Sequence, residues 1–471
     1  MKNLSTIFGA PGTGKTTYLL NLLGELLKKY APNEIAFVSF TRKGSYEGRD
    51  RAMKQFGFKE KDFPYFRTLH SIAFRELGMS KYQMISWKNY KDFSNAMGMN
   101  FLGYYTEDLI NSDDKYLFYC ALKRNNPEQA NRMVDELDLR KVKAVEKNYQ
   151  RFKDELGIFD FDDLIYNCIK QEVTLPVKVA IIDEAQDLTS MQWDLCKQLF
   201  KNCDKVYIAG DDDQAIYEWS GADVKQYLSL SSRSENKVIL DKSYRLQSNI
   251  LEFSKTITDR ISGRVEKVFE PVSKGGSILF YNNIEEMSIN SEESYYLLSR
   301  NNYFLNDYVK FLQRKGIVYT RKDKLSFDRA VVGAIKLYED YRKGDPEKMF
   351  QDHGLMEYIK KDVKGFPPWF QAFNLDMSDL NYYRELFKNK ADTSNINIQV
   401  NTIHGVKGGE ADNVVVRMDM TRNVFNNLSK DIPSLNSELR CLYVAFTRAK
   451  KNLHIIYSNS KFGFDDYVRN Y

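Results

Sequence analysis

Gly9, Gly14, Lys15 and Thr16 satisfy the spacing G-x-x-x-x-G-K-[ST] within the run GAPGTGKTT (residues 9–17). In such a loop glycines let backbone N–H groups approach phosphate oxygens. The lysine ammonium reaches the β and γ oxygens, and the hydroxyl residue ligates Mg²⁺. Gly9, Ala10, Pro11, Gly12, Thr13, Gly14, Lys15, Thr16 and Thr17 therefore form the candidate cradle for ATP. Asp183 and Glu184 close an apolar run in IIDEAQD (residues 181–187). Asp183 is expected to hold Mg²⁺ through water, and Glu184 to orient and deprotonate an attacking water. An acidic pair after a strand is by itself more often a helix cap, and its pairing with the phosphate loop reverses that preference. Gln214 follows the acidic run Asp211, Asp212, Asp213 in GDDDQAIYEWSGAD (residues 210–223), where a neutral amide can touch both the γ-phosphate and the attacking water.

Tyr217 and Trp219 lie three and five residues beyond Gln214. Aromatic faces that stack on bases contribute roughly 1–3 kcal/mol per base without demanding a sequence. One short loop thus joins a nucleotide sensor to a surface suited to single-stranded nucleic acid. Aromatics make up 14% of the chain, so most of them belong to the core. Trp219 stands apart because its neighbours are polar residues and glycine.

These residues need strand ends and helix starts to hold them. Residues 4–8 form a short apolar strand, 15–30 a leucine-rich helix and 35–40 a second strand, the βαβ pattern. Residues 177–182 and 205–209 are continuous apolar runs, as in parallel strands buried on both faces. The stretch 81–156 changes character and reads as helical, with helices at 115–124 and 139–156. A second α/β set begins near 238–240 and continues through 277–281, 294–299, 398–402, 412–417 and 452–457, interrupted by 344–392 with a helix at 378–389. The resulting fold class is α/β with two parallel-sheet phosphate-loop-type cores. Residues 1–78 and 157–240 make the first, with 79–156 as its helical insertion; 241–343 and 393–471 make the second, with 344–392 as a small insertion leaning on its host.

A length of 471 residues suggests about three domains. With 69 Lys and Arg against 64 Asp and Glu, any track for nucleic acid is a local groove rather than a basic coat. Five cysteines without CxxC spacing argue against a zinc site or a disulfide framework and fit a reducing cytosol. No run approaches the roughly 20 apolar residues of a membrane span, so a soluble, cytoplasmic protein is expected.

Taken in order, the phosphate loop, DEAQD, GDDDQAIYEWSGAD, SYR (residues 243–245), TIHGVKGGE (402–410) and LYVAFTRAKKNL (442–453) closely resemble the UvrD/Rep/PcrA-like branch of superfamily 1 DNA helicases. FTRK (40–43), TLH (68–70) and FDFDDLI (159–165) match as well, and the resemblance covers nearly all of the chain outside the two insertions. It implies two RecA-like domains that sandwich ATP, with Arg245 and Arg448 as arginine fingers, Tyr244 stacked on the base and Glu410 on the ribose. It also assigns Phe40, Thr41, His70, Thr402 and His404 to contacts with the DNA strand. Two departures stand out. The family's upstream adenine-reading Gln has no counterpart before the first strand, and the basic residue two positions after the loop lysine is Thr17.

The implied activity is ATP-driven movement along single-stranded DNA, 3′-to-5′ by the form of the YxWxGAD sequence, on single strands and on junctions with duplex. An accessory replication or repair protein is a candidate partner, because the second insertion is short for the family and weak unwinding would follow. The rival from another class is an ATP-gated DNA-binding switch or protein-displacing translocase. A small-molecule kinase is disfavoured by the second core and by Trp219. The motor's setting is a bacterial or phage-infected cytoplasm.

Overall fold

The computed structural model describes residues 3–40, 42–105 and 113–469. Two compact units divide the chain, Met1–Lys274 with Leu428–Val444, and Gly275–Asn427 with Ala445–Tyr471.

The first unit is built on six parallel strands: β1 (Leu4–Phe8), β2 (Ile35–Ser39), β3 (Phe66–Arg67), β4 (Val179–Asp183), β5 (Lys205–Gly210) and β6 (Asn236–Ile239). Their spatial order is β3-β2-β4-β5-β1-β6. Every residue of β2 and β4 is buried, which is why these strands read as unbroken apolar runs instead of alternating ones. Ser39 pairs with Asp183 and Phe8 with Gly210, so the carboxyl ends of β2, β4, β5 and β1 share one edge of the sheet. Ligands of open parallel sheets bind at that edge.

The sequence reading treats 238–240 in two ways, as the place near which the second α/β set begins and as the last residues of the first domain, 157–240. β6 pairs with β1, with Phe8 opposite Ile239, and so belongs to the first sheet, in agreement with the domain bounds and not with the start of the second set. The unit then continues through residues 241–274, which hydrogen-bond back to it.

The described residues between β3 and β4 form helices and the turns that join them. Asp138 caps the helix Leu139–Leu156 by accepting from the N–H groups of Arg140 and Lys141, and Gly157 ends it at φ 62°. Val142, Val145 and Tyr149, at helical spacing, bury one face against Phe93, Phe101, Leu117 and Leu122. The insertion therefore has an apolar cluster of its own.

The second unit carries β7 (Ser277–Tyr281), β8 (Tyr295–Ser299), β9 (Thr320–Arg321), β10 (Lys324–Leu325), β11 (Ile398–Thr402), β12 (Ala411–Arg417) and β13 (Ala449–Ile456). The order is β10-β9-β11-β8-β12-β13-β7, parallel except for the β9/β10 pair. Within 344–392, Trp369, Phe373, Tyr382 and Leu386 share one apolar cluster with Tyr308, Phe311 and Ile335 of the host. This segment has grown out of the unit's core and has not made a separate one. Among the described residues no helix is long and apolar enough to cross a membrane, and the five cysteines are unpaired by disulfides.

Candidate ATP and DNA site

The phosphate loop joins β1 to the helix Lys15–Leu26, whose start is set by Gly14 in the left-handed region at φ 73°. Gly12, at φ 74°, is required for a second reason. A Cβ there would stand 2.4 Å from the Cβ of Arg245 and 2.9 Å from the Ser243 hydroxyl. The loop backbone is thus also the seat of residues 243–245. Ser243 Oγ donates to the Pro11 carbonyl at 3.1 Å, and the N–H of Tyr244 donates to the Gly12 carbonyl at 2.7 Å. The exposed Tyr244 ring passes over Gly14, where a Cβ would be 3.5 Å from it. Tyr244 and Arg245 therefore lie beside the loop within the first unit.

Lys15 donates to Glu184 Oε1 at 2.6 Å and lies 3.5 Å from Asp183 Oδ1. Burial works against its charge, but Glu184 and Asp183 outweigh burial and hold the ammonium above the usual lysine range. Burial also pushes the Asp183 carboxyl up, against the pull of Lys15. Glu184 sits in the left-handed region at φ 53°, a conformation that costs a non-glycine residue on the order of 1–3 kcal/mol. That twist at the end of β4 turns its carboxylate back over the loop.

Gln186 holds it there. This wholly buried side chain donates Nε2 to Glu184 Oε2 at 2.6 Å and to Asp187 Oδ2 at 3.2 Å, while its Oε1 accepts the N–H of Asp211 at 3.0 Å. Asp211 Oδ2 in turn accepts Gln214 Nε2 at 2.7 Å. Lys15, Glu184, Gln186, Asp211 and Gln214 are thereby linked across the ends of β1, β4 and β5.

Three consecutive carboxylates, Asp211, Asp212 and Asp213, are buried at the end of β5. Lys267 Nζ reaches all three, at 3.1, 2.5 and 2.9 Å, and Arg264 grips Asp213 with two N–H groups at 2.8 and 2.6 Å. The Val265 N–H donates to Asp212 at 2.9 Å. Burial opposes the charge on Lys267, and the three carboxylates reverse that and raise it.

The candidate strand-binding aromatics fall into two places. Phe40, just beyond β2, stands 5.3 Å from Tyr217 between ring centroids, so these two are brought together. Trp219 is half-buried and packs on Phe118 of the helical insertion at 6.1 Å, at the wall of a cavity of about 560 Å³ that Tyr149, Arg124 and Asp162 also line. Its loop is braced from the same side, since Asn126 Nδ2 donates to the Gly221 carbonyl at 3.3 Å. His70 lies edge-on to the exposed Phe161 at 5.6 Å, one residue after Leu69 opens a helix capped by Thr68. Thr41 lies outside the described residues.

In the second unit, the pairing of Ala411 with Ala449 places Glu410 and Arg448 at one end of β12 and β13. Arg448 is 1% exposed; its Nη1 donates to the Gly409 carbonyl at 3.2 Å, and its own carbonyl accepts the Ala411 N–H at 3.1 Å. Thr402 ends β11, and its hydroxyl accepts the Gly405 N–H at 3.3 Å in the turn that holds His404.

ATP with Mg²⁺ fits the first unit by donor chemistry. Asp183 Oδ1 lies 3.5 Å from Lys15 Nζ and Thr16 follows that lysine in the chain, the kind of oxygen donors Mg²⁺ takes while completing its shell with water and phosphate oxygens. A dedicated cluster of three acidic or imidazole ligands is accordingly unnecessary, and among the described residues there is none.

Comparison with known families decides the kinship. Residues 1–235 match the UvrD/REP helicase N-terminal domain, and residues 331–460 match the UvrD-like helicase C-terminal domain. The chain belongs to the UvrD/Rep helicase family. Among curated relatives, the ATP-dependent DNA helicase PcrA of Staphylococcus epidermidis is 26% identical over 314 residues, covering 61% of this chain and 42% of that protein. The ATP-dependent DNA helicase Rep of Buchnera aphidicola is 23% identical over 361 residues, 68% of this chain and 53% of that one. The chain thus spans about half the length of the curated relatives it matches. A solved arterivirus helicase, nonstructural protein 10, overlays with a TM-score of 0.36 at 12% identity, over 96% of this chain and 59% of that one.

Within this UvrD/Rep-family chain, sequence reasoning passed over Gln186, Arg264 and Lys267. Gln186 stands inside the quoted motif IIDEAQD, two residues after Glu184, and its burial is the information that the sequence lacks. Arg264 and Lys267 carry no local signal, because their partners lie 51 and 55 residues away.

Proposed function

We propose that this protein is an ATP-dependent DNA helicase or translocase that moves along single-stranded DNA, 3′-to-5′. The observation that carries the reading is the linked set Lys15, Glu184, Gln186, Asp211 and Gln214, which ends three residues before Tyr217. Lys15 and the backbone of residues 9–17 bind the β and γ phosphates, and Thr16 and Asp183 hold Mg²⁺, which neutralises developing phosphate charge when bound. Glu184 takes the proton of the attacking water, and Gln214 senses the γ-phosphate. Tyr244 stacks on the base, Glu410 takes the ribose, and Arg245 and Arg448 are the fingers of the transfer step, each kind worth about 10³ to 10⁵ in rate.

Phe40, Thr41, His70, Tyr217 and Trp219 in the first unit, with Thr402 and His404 in the second, grip the strand. Loss of the γ-phosphate releases Gln214 and changes the set of the Tyr217 and Trp219 loop, which couples hydrolysis to that grip. The cytoplasm of a bacterium or of a phage-infected cell is the setting, and an accessory replication or repair protein is the partner.

A specific observation favours translocation with weak unwinding over robust strand separation: residues 344–392 are built into the core of the second unit, so they offer no separate module to act as a wedge. Steady-state ATP hydrolysis without DNA, with oligo-dT of increasing length and with duplex tests the reading. Stimulation by single strands that grows with length is expected, followed by preferential opening of 3′-tailed duplexes. Flat, DNA-independent hydrolysis would replace the motor with an ATP-gated switch.

A further inference from the structure

We propose that Arg264 and Lys267 are positioning residues of a coupling strap, residues 264–273, which ties the Asp211–Asp213 turn to the segment that carries Tyr244 and Arg245. The inference rests on the reading above, and it assigns the path by which nucleotide at residues 9–17 sets the loop of Tyr217 and Trp219.

The two ends of the strap are both fixed. At one end Lys267 and Arg264 hold the three carboxylates that follow β5. Asp211, one of the three, orients Gln214 through its side chain and Gln186 through its N–H. At the other end the strap pairs with residues 241–248. The Glu270 N–H donates to the Asp241 carbonyl at 2.7 Å, the Ser243 N–H donates to the Glu270 carbonyl at 2.8 Å, and Val272 N–H donates to the Leu246 carbonyl at 2.8 Å. Only two residues separate Lys267 from Glu270. Because Ser243 also donates to Pro11, a shift of the phosphate loop displaces the strap, and the strap displaces the acidic turn.

Three buried carboxylates held by two cations are a costly way to secure a turn, since well-packed apolar residues do as well or better for stability. What charge adds is register. Arg264 meets Asp213 through two parallel bonds, a geometry that is either made or lost. A few neutral contacts would transmit a small displacement poorly, whereas this cluster moves as one body.

The test uses the whole chain and four variants: R264Q, R264K, D213N and K267M. Turnover of ATP is measured with and without oligo-dT, alongside the affinity for a fluorescent ADP analogue and the melting temperature. For R264Q and D213N the expected result is basal turnover within about twofold of wild type, unchanged ADP affinity, and DNA stimulation lowered about fivefold or more, with R264K in between. K267M, which strips the cation from all three carboxylates, is expected to lose more. Stimulation in R264Q and D213N equal to wild type overturns the strap. So does a parallel fall of basal turnover, stimulation and melting temperature in all the variants, which marks the cluster as structural. If the wild-type chain itself shows no stimulation, the motor reading fails first and separately.

Discussion

Gln186 stands 2.6 Å from the Glu184 carboxylate and keeps that residue in a backbone conformation it would not choose alone. The amide has no role in the chemistry itself, yet Glu184 cannot swing away while Gln186 is anchored to the Asp211 N–H. Replacing Gln186 by Leu nearly keeps its volume and removes all three of its side-chain bonds, to Glu184, Asp187 and Asp211. ATP turnover is expected to fall on the order of 10²-fold, the cost of a small misplacement of a catalytic group, with ADP affinity unchanged. The Gln186→Glu variant separates positioning from packing. A second carboxylate beside Glu184 disfavours its ionised form, so the acid limb of the pH–rate profile should move to higher pH. An unmoved limb would argue against Glu184 as the general base proposed above or against its contact with Gln186.

How much of this was legible in the sequence follows from where each partner lies along the chain. The phosphate loop and the acidic pair are local: their residues are neighbours in sequence, and apolar runs point to the strands that end beside them. β7 and β11 fall on the residues their apolar patterns indicated, Ser277–Tyr281 and Ile398–Thr402. β6 is ambiguous in the sequence, where it stands at the seam between the two sets, because an edge strand of mostly exposed residues, NKVI, says nothing about which sheet it joins. Trp219 looked solvent-facing from its polar neighbours, and the ring that half-buries it, Phe118, lies a hundred residues upstream on an insertion whose path is not encoded locally.

Lys15 is the cation common to both carboxylates of the acidic pair. Lys15→Ala is expected to reduce ATP turnover by ~100-fold or more, as for loss of a single preorganised electrostatic contact, while binding of single-stranded DNA persists. Fluorescence anisotropy of a labelled oligo-dT checks the second half. Turnover near wild type would take Lys15 out of the phosphate site.

His454 gives the second unit an acid-sensitive element. Its Nε2–H faces Asn413 Oδ1 at 3.4 Å, an oxygen that also accepts from Asn452, and its Nδ1 lies 3.3 Å from the Tyr281 hydroxyl. Burial lowers its pKa from 6.5 to about 4, with Glu293 pulling weakly the other way. The folded value is the depressed one, so between 6.5 and 4 the unfolded chain binds more protons. The stabilisation is full above pH 6.5, declines as pH falls and is gone below about pH 4; its ceiling is roughly 3 kcal/mol. His454→Gln should flatten this part of the stability curve, read by urea denaturation from pH 7 to 4. An acid limb identical to wild type would assign the loss to the carboxylates alone.

Trp219 is asked to do two things at once, to stack on a base as proposed above and to pack on Phe118, whose ring lies 6.1 Å away at a tilt of 33°. Trp219→Ala removes both, so a lower melting temperature is expected whatever the function, since truncating a large aromatic in a packed site costs about 3–5 kcal/mol when burial is complete and less here. The informative quantity is therefore the ratio of DNA-stimulated to basal turnover. If Trp219 stacks on the strand, basal turnover stays near wild type below the melting range while stimulation collapses, because the loop still carries Gln214 but has lost its grip. Phe118→Ala supplies the control: it loosens the same packing and leaves the indole in place, so it should lower stability with a smaller loss of stimulation. Equal loss of basal and stimulated turnover in Trp219→Ala, matched by Phe118→Ala, would make Trp219 a structural residue and shift the base-stacking role to Phe40 and Tyr217.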